Sequence, residues 1–173
     1  MIDDVETQQE RPTAAIEAWQ RIESQNPAFL GLVADRLAEA YRKVGDVGQG
    51  IRVLRSFQDQ YPSLDLLTTL FNQILVHEGA QAAAQLIKEE LTRNPTLLGL
   101  DKLLEAQLIA APAERRNDLE LVKNLVSQHI KRLGMYRCEQ CGFRAKQYYW
   151  RCPGCNKWET YSPKRTETPD GFV

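Results

Sequence analysis

Cysteine is missing from the first 137 residues, and the four in the chain fall between positions 138 and 155. Two structural disulfides would therefore leave most of the chain without a cross-link, which is not how a secreted disulfide scaffold is composed. No apolar run approaches the ~18–20 residues that cross a bilayer. The opening Met1-Ile-Asp-Asp-Val-Glu is too acidic to begin a signal peptide. A phosphate-cradling G-x-x-x-x-G-K-[ST], an H-E-x-x-H and a G-x-S-x-G are all absent, so nothing points to a nucleotide hydrolase, a zinc protease or a serine hydrolase. The reading is a non-enzyme, with no catalytic residues and no organic cofactor. Histidine occurs only as His77 and His129, each alone on a predicted helix, where a surface or packing role is expected. A strong charge of one sign is also lacking. The formal net charge is -1, which argues against a dominant nucleic-acid footprint. Together these absences predict a protein of a reducing, cytoplasmic compartment.

Charge is nonetheless uneven. Residues 1–134 hold 15 Lys/Arg against 19 Asp/Glu, whereas residues 135–173 hold 7 against 4. Four thiolates on a divalent cation would add about two negative charges to the second region, leaving a small basic patch at Arg144, Lys146, Arg151 and Lys157. Arg115 and Arg116 read as a solvated helix start.

Residues 13–95 repeat. Leu37 and Tyr41, the turn Gly45-Asp46, then Gly50, Leu54, Phe57 and Tyr61-Pro62 fit a tetratricopeptide unit: two helices, a glycine turn, a small residue at the crossing and a closing proline. A weaker copy follows with Leu70, Ile74, Glu78-Gly79, Ala83, Ile87 and Pro95. Pro27 and Pro62 lie 35 apart and Pro62 and Pro95 lie 33 apart, bracketing the ~34-residue period of such units. Before Pro27 only a second helix is legible, through Ala15, Trp19 and Ile22, so the array is expected to be truncated at its N-terminus. A third helical pair is marked by Leu97 to Ile109 and by Leu119 to Ile130, with Lys131-Arg132 and Gly134 as stop signals. The fold class is thus an all-α tetratricopeptide-repeat solenoid over residues 1–134, a metal module over 135–162, and a disordered tail over 163–173.

The module is where chemistry is concentrated. Cys138 and Cys141 form one C-x-x-C, Cys152 and Cys155 a second, and ten residues separate them. Each such turn aims two sulfurs at one point, so the four can close a tetrahedral site around one ion. Gly142 after the first pair and Asn156 after the second suit the left-handed backbone of a tight knuckle. With four sulfurs the site has no open position, which makes it structural. Zn²⁺ and Fe²⁺/Fe³⁺ both suit four thiolates, and spacing alone does not separate them. Seven of the fourteen aromatics lie in residues 136–161. They supply area that so short a module cannot gain from aliphatic residues. Only Met135 separates Gly134 from Tyr136, which predicts that the module packs on the last helices instead of swinging on a linker.

Tetratricopeptide units running directly into YRCEQCGF and YWRCPGC resemble the lipopolysaccharide assembly protein B family of Gram-negative bacteria. That resemblance implies a rubredoxin-type module whose metal ligands are Cys138, Cys141, Cys152 and Cys155. It also implies an adaptor, anchored at the cytoplasmic face of the inner membrane by an N-terminal helix not found in this sequence. Such an adaptor helps the membrane protease FtsH degrade the deacetylase LpxC and associates with lipopolysaccharide assembly and transport proteins; homo-oligomerisation is left open. The stretch Arg137 to Trp158 also resembles the zinc ribbon of the DNA-repair ATPase RadA, but there the ribbon opens the chain and an ATPase follows. A third class, a rubredoxin-like electron carrier, would require iron and a redox partner.

Overall fold

The computed structural model describes residues 12–131, 133–165 and 167. Among them are seven α-helices followed by a small two-stranded sheet. The chain divides into two compact units, Met1–Gln73 and Ile74–Val173.

In the first unit α1 (Pro12–Gln25) packs on α2 (Leu30–Val44), and α2 on α3 (Val47–Gln60). A 3-10 turn, Pro27–Phe29, joins α1 to α2, and the Asn26 side chain accepts a hydrogen bond from the Ala28 amide. Each helix buries one stripe: Ala15 and Trp19 on α1, Ala34, Leu37, Ala38 and Tyr41 on α2, and Leu54 and Phe57 on α3. Between α2 and α3 the Gly45-Asp46 turn works as the sequence predicts. Gly45 sits at φ 84, the Asp46 amide reaches back to the Tyr41 carbonyl at 3.1 Å, and the Asp46 carboxylate caps α3 at the Gln49 amide, 3.0 Å away. Gly50 lies where the helices cross. A Cβ there would stand 2.8 Å from Tyr41 Cβ, so the position admits no side chain without movement. The start of α4 (Leu64–His77) is capped by Ser63 Oγ, which accepts from the Leu66 amide, and its buried Thr69 donates to Asp35 on α2.

In the second unit α5 (Ala80–Arg93) packs on α6 (Leu97–Ala110), and α6 on α7 (Ala113–Ile130). Ala83 is the fully buried small residue of this repeat, with Ile87 beside it. Thr96 caps α6 by accepting from the Gly99 amide. This nearest-neighbour packing of short helices is consistent with the tetratricopeptide arrangement.

Helix α7 departs from the others because it buries no residue fully. Leu119, Val126 and Ile130 are half-buried, whereas Leu121 and Leu125 are each 61% exposed. Its attachment to α6 is partly polar, through Asp101, which accepts from Lys123 Nζ at 3.1 Å and from Ser127 Oγ. The helix ends at Ile130, four residues before the Gly134 stop; Gly134 itself takes φ 65 in the connection. Arg132, the other half of the predicted stop signal, lies outside the described residues.

The expected disordered tail does not describe all of residues 163–173. Residues 163–165 are half-buried, and the Glu167 carboxylate accepts from the Leu97 amide at 2.8 Å and the Leu98 amide at 2.7 Å. Composition pointed to disorder because Pro163 to Val173 has few apolar groups to bury, yet a single carboxylate over the unpaired amides of a helix start makes a contact that no hydropathy pattern shows. Residues 168–173 lie outside the described set, as do residues 1–11.

Candidate metal centre

Two short strands carry the module, β1 (Tyr136–Arg137) and β2 (Arg144–Ala145), antiparallel with Tyr136 opposite Ala145. Isolated bridges join Cys138 to Tyr161 and Arg151 to Trp158. The two C-x-x-C turns are near copies. In the first, the Gly142 amide returns to the Cys138 carbonyl at 2.9 Å, and the Cys138 amide donates to Phe143 O at 2.9 Å. In the second, the Asn156 amide returns to Cys152 O and the Cys152 amide donates to Lys157 O, each at 2.9 Å. Gly142 at φ 76 and Asn156 at φ 58 hold the left-handed position in each, as the sequence predicts. The difference between them is steric cost, since Asn carries a Cβ and Gly does not.

The four sulfurs meet. Cys138 and Cys155 Sγ stand 3.9 Å apart, Cys141 and Cys152 Sγ 3.6 Å apart, and all four lie within 4.8 Å of one another. A tetrahedral site with Zn–S near 2.3 Å requires sulfurs about 3.8 Å apart. A disulfide requires about 2.05 Å, and all four cysteines are free. The cluster therefore fits one metal ion and not a pair of disulfides.

Its electrostatics are graded. Burial opposes ionisation of Cys138, but the Thr160 hydroxyl at 3.1 Å and the Cys141 and Gln140 amides outweigh it, bringing the thiol down to about 6. For Cys152 burial is likewise outweighed, chiefly by the Cys155 and Gly154 amides, the latter 3.3 Å from its sulfur, and its pKa falls. At Cys141 the Phe143 amide favours the thiolate, yet partial desolvation of the sulfur and the crowding of three other sulfurs prevail and push it up to about 12, although the residue as a whole is exposed. Ionisation is thus favoured at Cys138 and Cys152 and opposed at Cys141, and a bound cation would favour the thiolate form of the whole set. Cys138 and Cys152 are fully buried while Cys141 is exposed, so the cage has one inner and one outer edge.

Aromatic rings close the inner edge. Tyr148 meets Tyr136, Trp150 and Tyr161 edge to face, with centroids 5.7, 5.1 and 6.1 Å away. Tyr136 and Tyr161 are buried, and burial together with the nearby sulfurs pushes the Tyr161 hydroxyl up to about 12. Phe143, Trp150 and Trp158 remain exposed, and the Arg151 guanidinium stands 5.9 Å over the Trp158 ring. The predicted basic patch, Arg144, Lys146, Arg151 and Lys157, is exposed throughout, with Lys157 donating to Gln140 at 2.7 Å.

Sequence reasoning missed Thr160. It lies directly after Glu159, a non-glycine residue at φ 54, and no local motif announces either that turn or the contact with Cys138. His77 and His129 are exposed and stand outside the cluster, as expected. The first unit also holds a groove of about 460 Å³ whose lining includes Ala15, Trp19, Arg36, Glu39 and Lys43.

Residues 136–163 match the family model described as the rubredoxin metal binding domain. Over 152 residues the chain is 29% identical to lipopolysaccharide assembly protein B of Escherichia coli K12, which covers 87% of this chain and 39% of that protein. This chain is similar to lipopolysaccharide assembly protein B over most of its length. The Haemophilus influenzae protein of the same name is 25% identical over 150 residues, 86% of this chain and 38% of its own length. The chain thus spans about two fifths of the curated relatives it matches. The 152 matched residues are more than the helices alone occupy, so the likeness to lipopolysaccharide assembly protein B extends into the module. None of the described helices is long and apolar enough to cross a membrane.

Proposed function

We propose that this chain is the helical and metal-binding part of a non-enzymatic adaptor in lipopolysaccharide assembly. The observation that carries the reading is a likeness covering 87% of the chain to proteins named for that process, together with a four-sulfur cluster that leaves no open coordination position. Cys138, Cys141, Cys152 and Cys155 hold one ion per chain, Zn²⁺ in preference to iron, in a structural role. The helices offer a protein-binding surface, and the partners proposed are the FtsH protease, the LpxC deacetylase and the lipopolysaccharide assembly and transport proteins. The adaptor works at the cytoplasmic face of the inner membrane.

Co-purification from cells with FtsH and LpxC is the test. Recovery of both, and loss of LpxC turnover when residues 136–173 are deleted from the full-length protein, is the expected result. Salt-sensitive binding to DNA with no protein partner would favour the ribbon of a nucleic-acid-binding protein instead. Elemental analysis decides the metal: iron with a visible thiolate absorption band would favour an electron carrier.

A further inference from the structure

Helix α6 begins with a capping arrangement drawn from two distant parts of the chain. Thr96 satisfies the Gly99 amide at 3.1 Å, whereas the Leu97 and Leu98 amides both donate to the carboxylate of Glu167, about seventy residues further on. A carboxylate at that place gains twice, from two charge-assisted hydrogen bonds and from the positive end of the helix dipole. The segment bearing Glu167 is also tied directly to the sulfur cluster. Tyr161 pairs with Cys138 across an isolated bridge, the Glu139 amide donates to Thr160 O at 2.7 Å, and the Ser162 amide donates to Arg137 O at 3.3 Å. From Cys138 one therefore passes by backbone pairing to Tyr161, along six residues of chain to Glu167, and onto the first turn of α6.

We propose that Glu167 is a clasp through which the state of the metal module controls the start of α6. While the four sulfurs hold an ion, residues 137–139 keep residues 160–162 in place by backbone pairing and Glu167 within reach of the two amides. When the ion is lost the module unfolds, as small metal modules do. The strap then loses its anchor, and the Leu97 and Leu98 amides lose their carboxylate. The first turn of α6 frays, and the surface shared by α5, α6 and α7 loosens with it. This rests on the cluster being a metal site but not on any partner, so it fails separately from the adaptor reading.

Amide hydrogen exchange on the full chain, metal-loaded and chelated, for the wild type and Glu167→Ala, tests the clasp. In the metal-loaded Glu167→Ala chain the Leu97 and Leu98 amides should exchange about tenfold faster than in the wild type, with metal content unchanged at one ion per chain. Chelation should bring the wild type to the same rate and add nothing further in Glu167→Ala. Glu167→Gln, which keeps one acceptor oxygen without the charge, should fall between. Unchanged exchange at Leu97 and Leu98 in metal-loaded Glu167→Ala overturns the proposal. So does an equal increment on chelation in both chains, since some other contact would then carry the effect.

Discussion

The helices and the module solve the problem of staying folded in different currencies. In the helical part the fully buried side chains are mostly large and aliphatic, Leu30, Leu37, Leu54, Leu66, Leu70, Ile74 and Ile87, joined by Trp19 and Phe71. Among the described residues of the module, Cys138 and Cys152 are buried to that degree, and Tyr136 and Tyr161 nearly so. Four side chains are too few to offset the ordering of some thirty residues at ~1–2 kcal/mol of backbone entropy each. A metal bound by four thiolates supplies folding free energy that the rings alone do not. The comparison teaches that a change of the same size falls differently on the two regions: the helices lose stability by degrees, the module all at once.

The sharpest way to break the comparison is to remove a sulfur. Cys138→Ser should abolish metal binding and unfold residues 136–161 entirely, seen as loss of near-ultraviolet dichroism and of dispersed amide resonances there, while far-ultraviolet helix content persists. Phe71→Ala, in the helical core and fully buried, should cost about 3–5 kcal/mol in urea unfolding and leave metal content untouched. Gly50→Ala should be next, at about 1–3 kcal/mol by overpacking, because the new methyl meets Tyr41.

Thr160→Val is milder and bears on the inner edge of the cage. Losing the hydroxyl beside Cys138 should weaken the metal about tenfold in chelator competition. The same substitution sets a pH test. The Cys138 thiol is held down to about 6 partly by that hydroxyl, so the ionised form it favours is lost as pH falls through that value. Without Thr160 the thiol protonates at higher pH, and acid release of the metal should shift upward. The smallest effect belongs to Leu121→Gln: the side chain is 61% exposed, so the thermal midpoint should stay within the scatter of surface substitutions, about 0.5 kcal/mol.

How much of this was legible from residues alone follows from how local each signal is. The Gly45-Asp46 turn, the Gly50 crossing and the buried stripes of α2 and α3 follow a helical period and could be read directly. The C-x-x-C pairs with Gly142 and Asn156 were legible because each knuckle closes within five residues. Helix α7 was misleading. Its apolar residues mark a helix correctly, but only contact with α6 decides which of them are covered, and Leu121, Val122 and Leu125 are not.

The amino-acid sequence by itself thus determined the helices, their turns, the four sulfurs and their capacity to hold one ion. These rest on backbone preference and side-chain chemistry acting over a few residues. Tertiary structure alone decided that Tyr136 and Tyr161 turn inward while Trp150 and Trp158 do not, that Thr160 reaches Cys138, and that Glu167 closes on Leu97 and Leu98. The physical reason is that each of these is a contact between groups far apart along the chain, and its partner exists only once both segments have been placed.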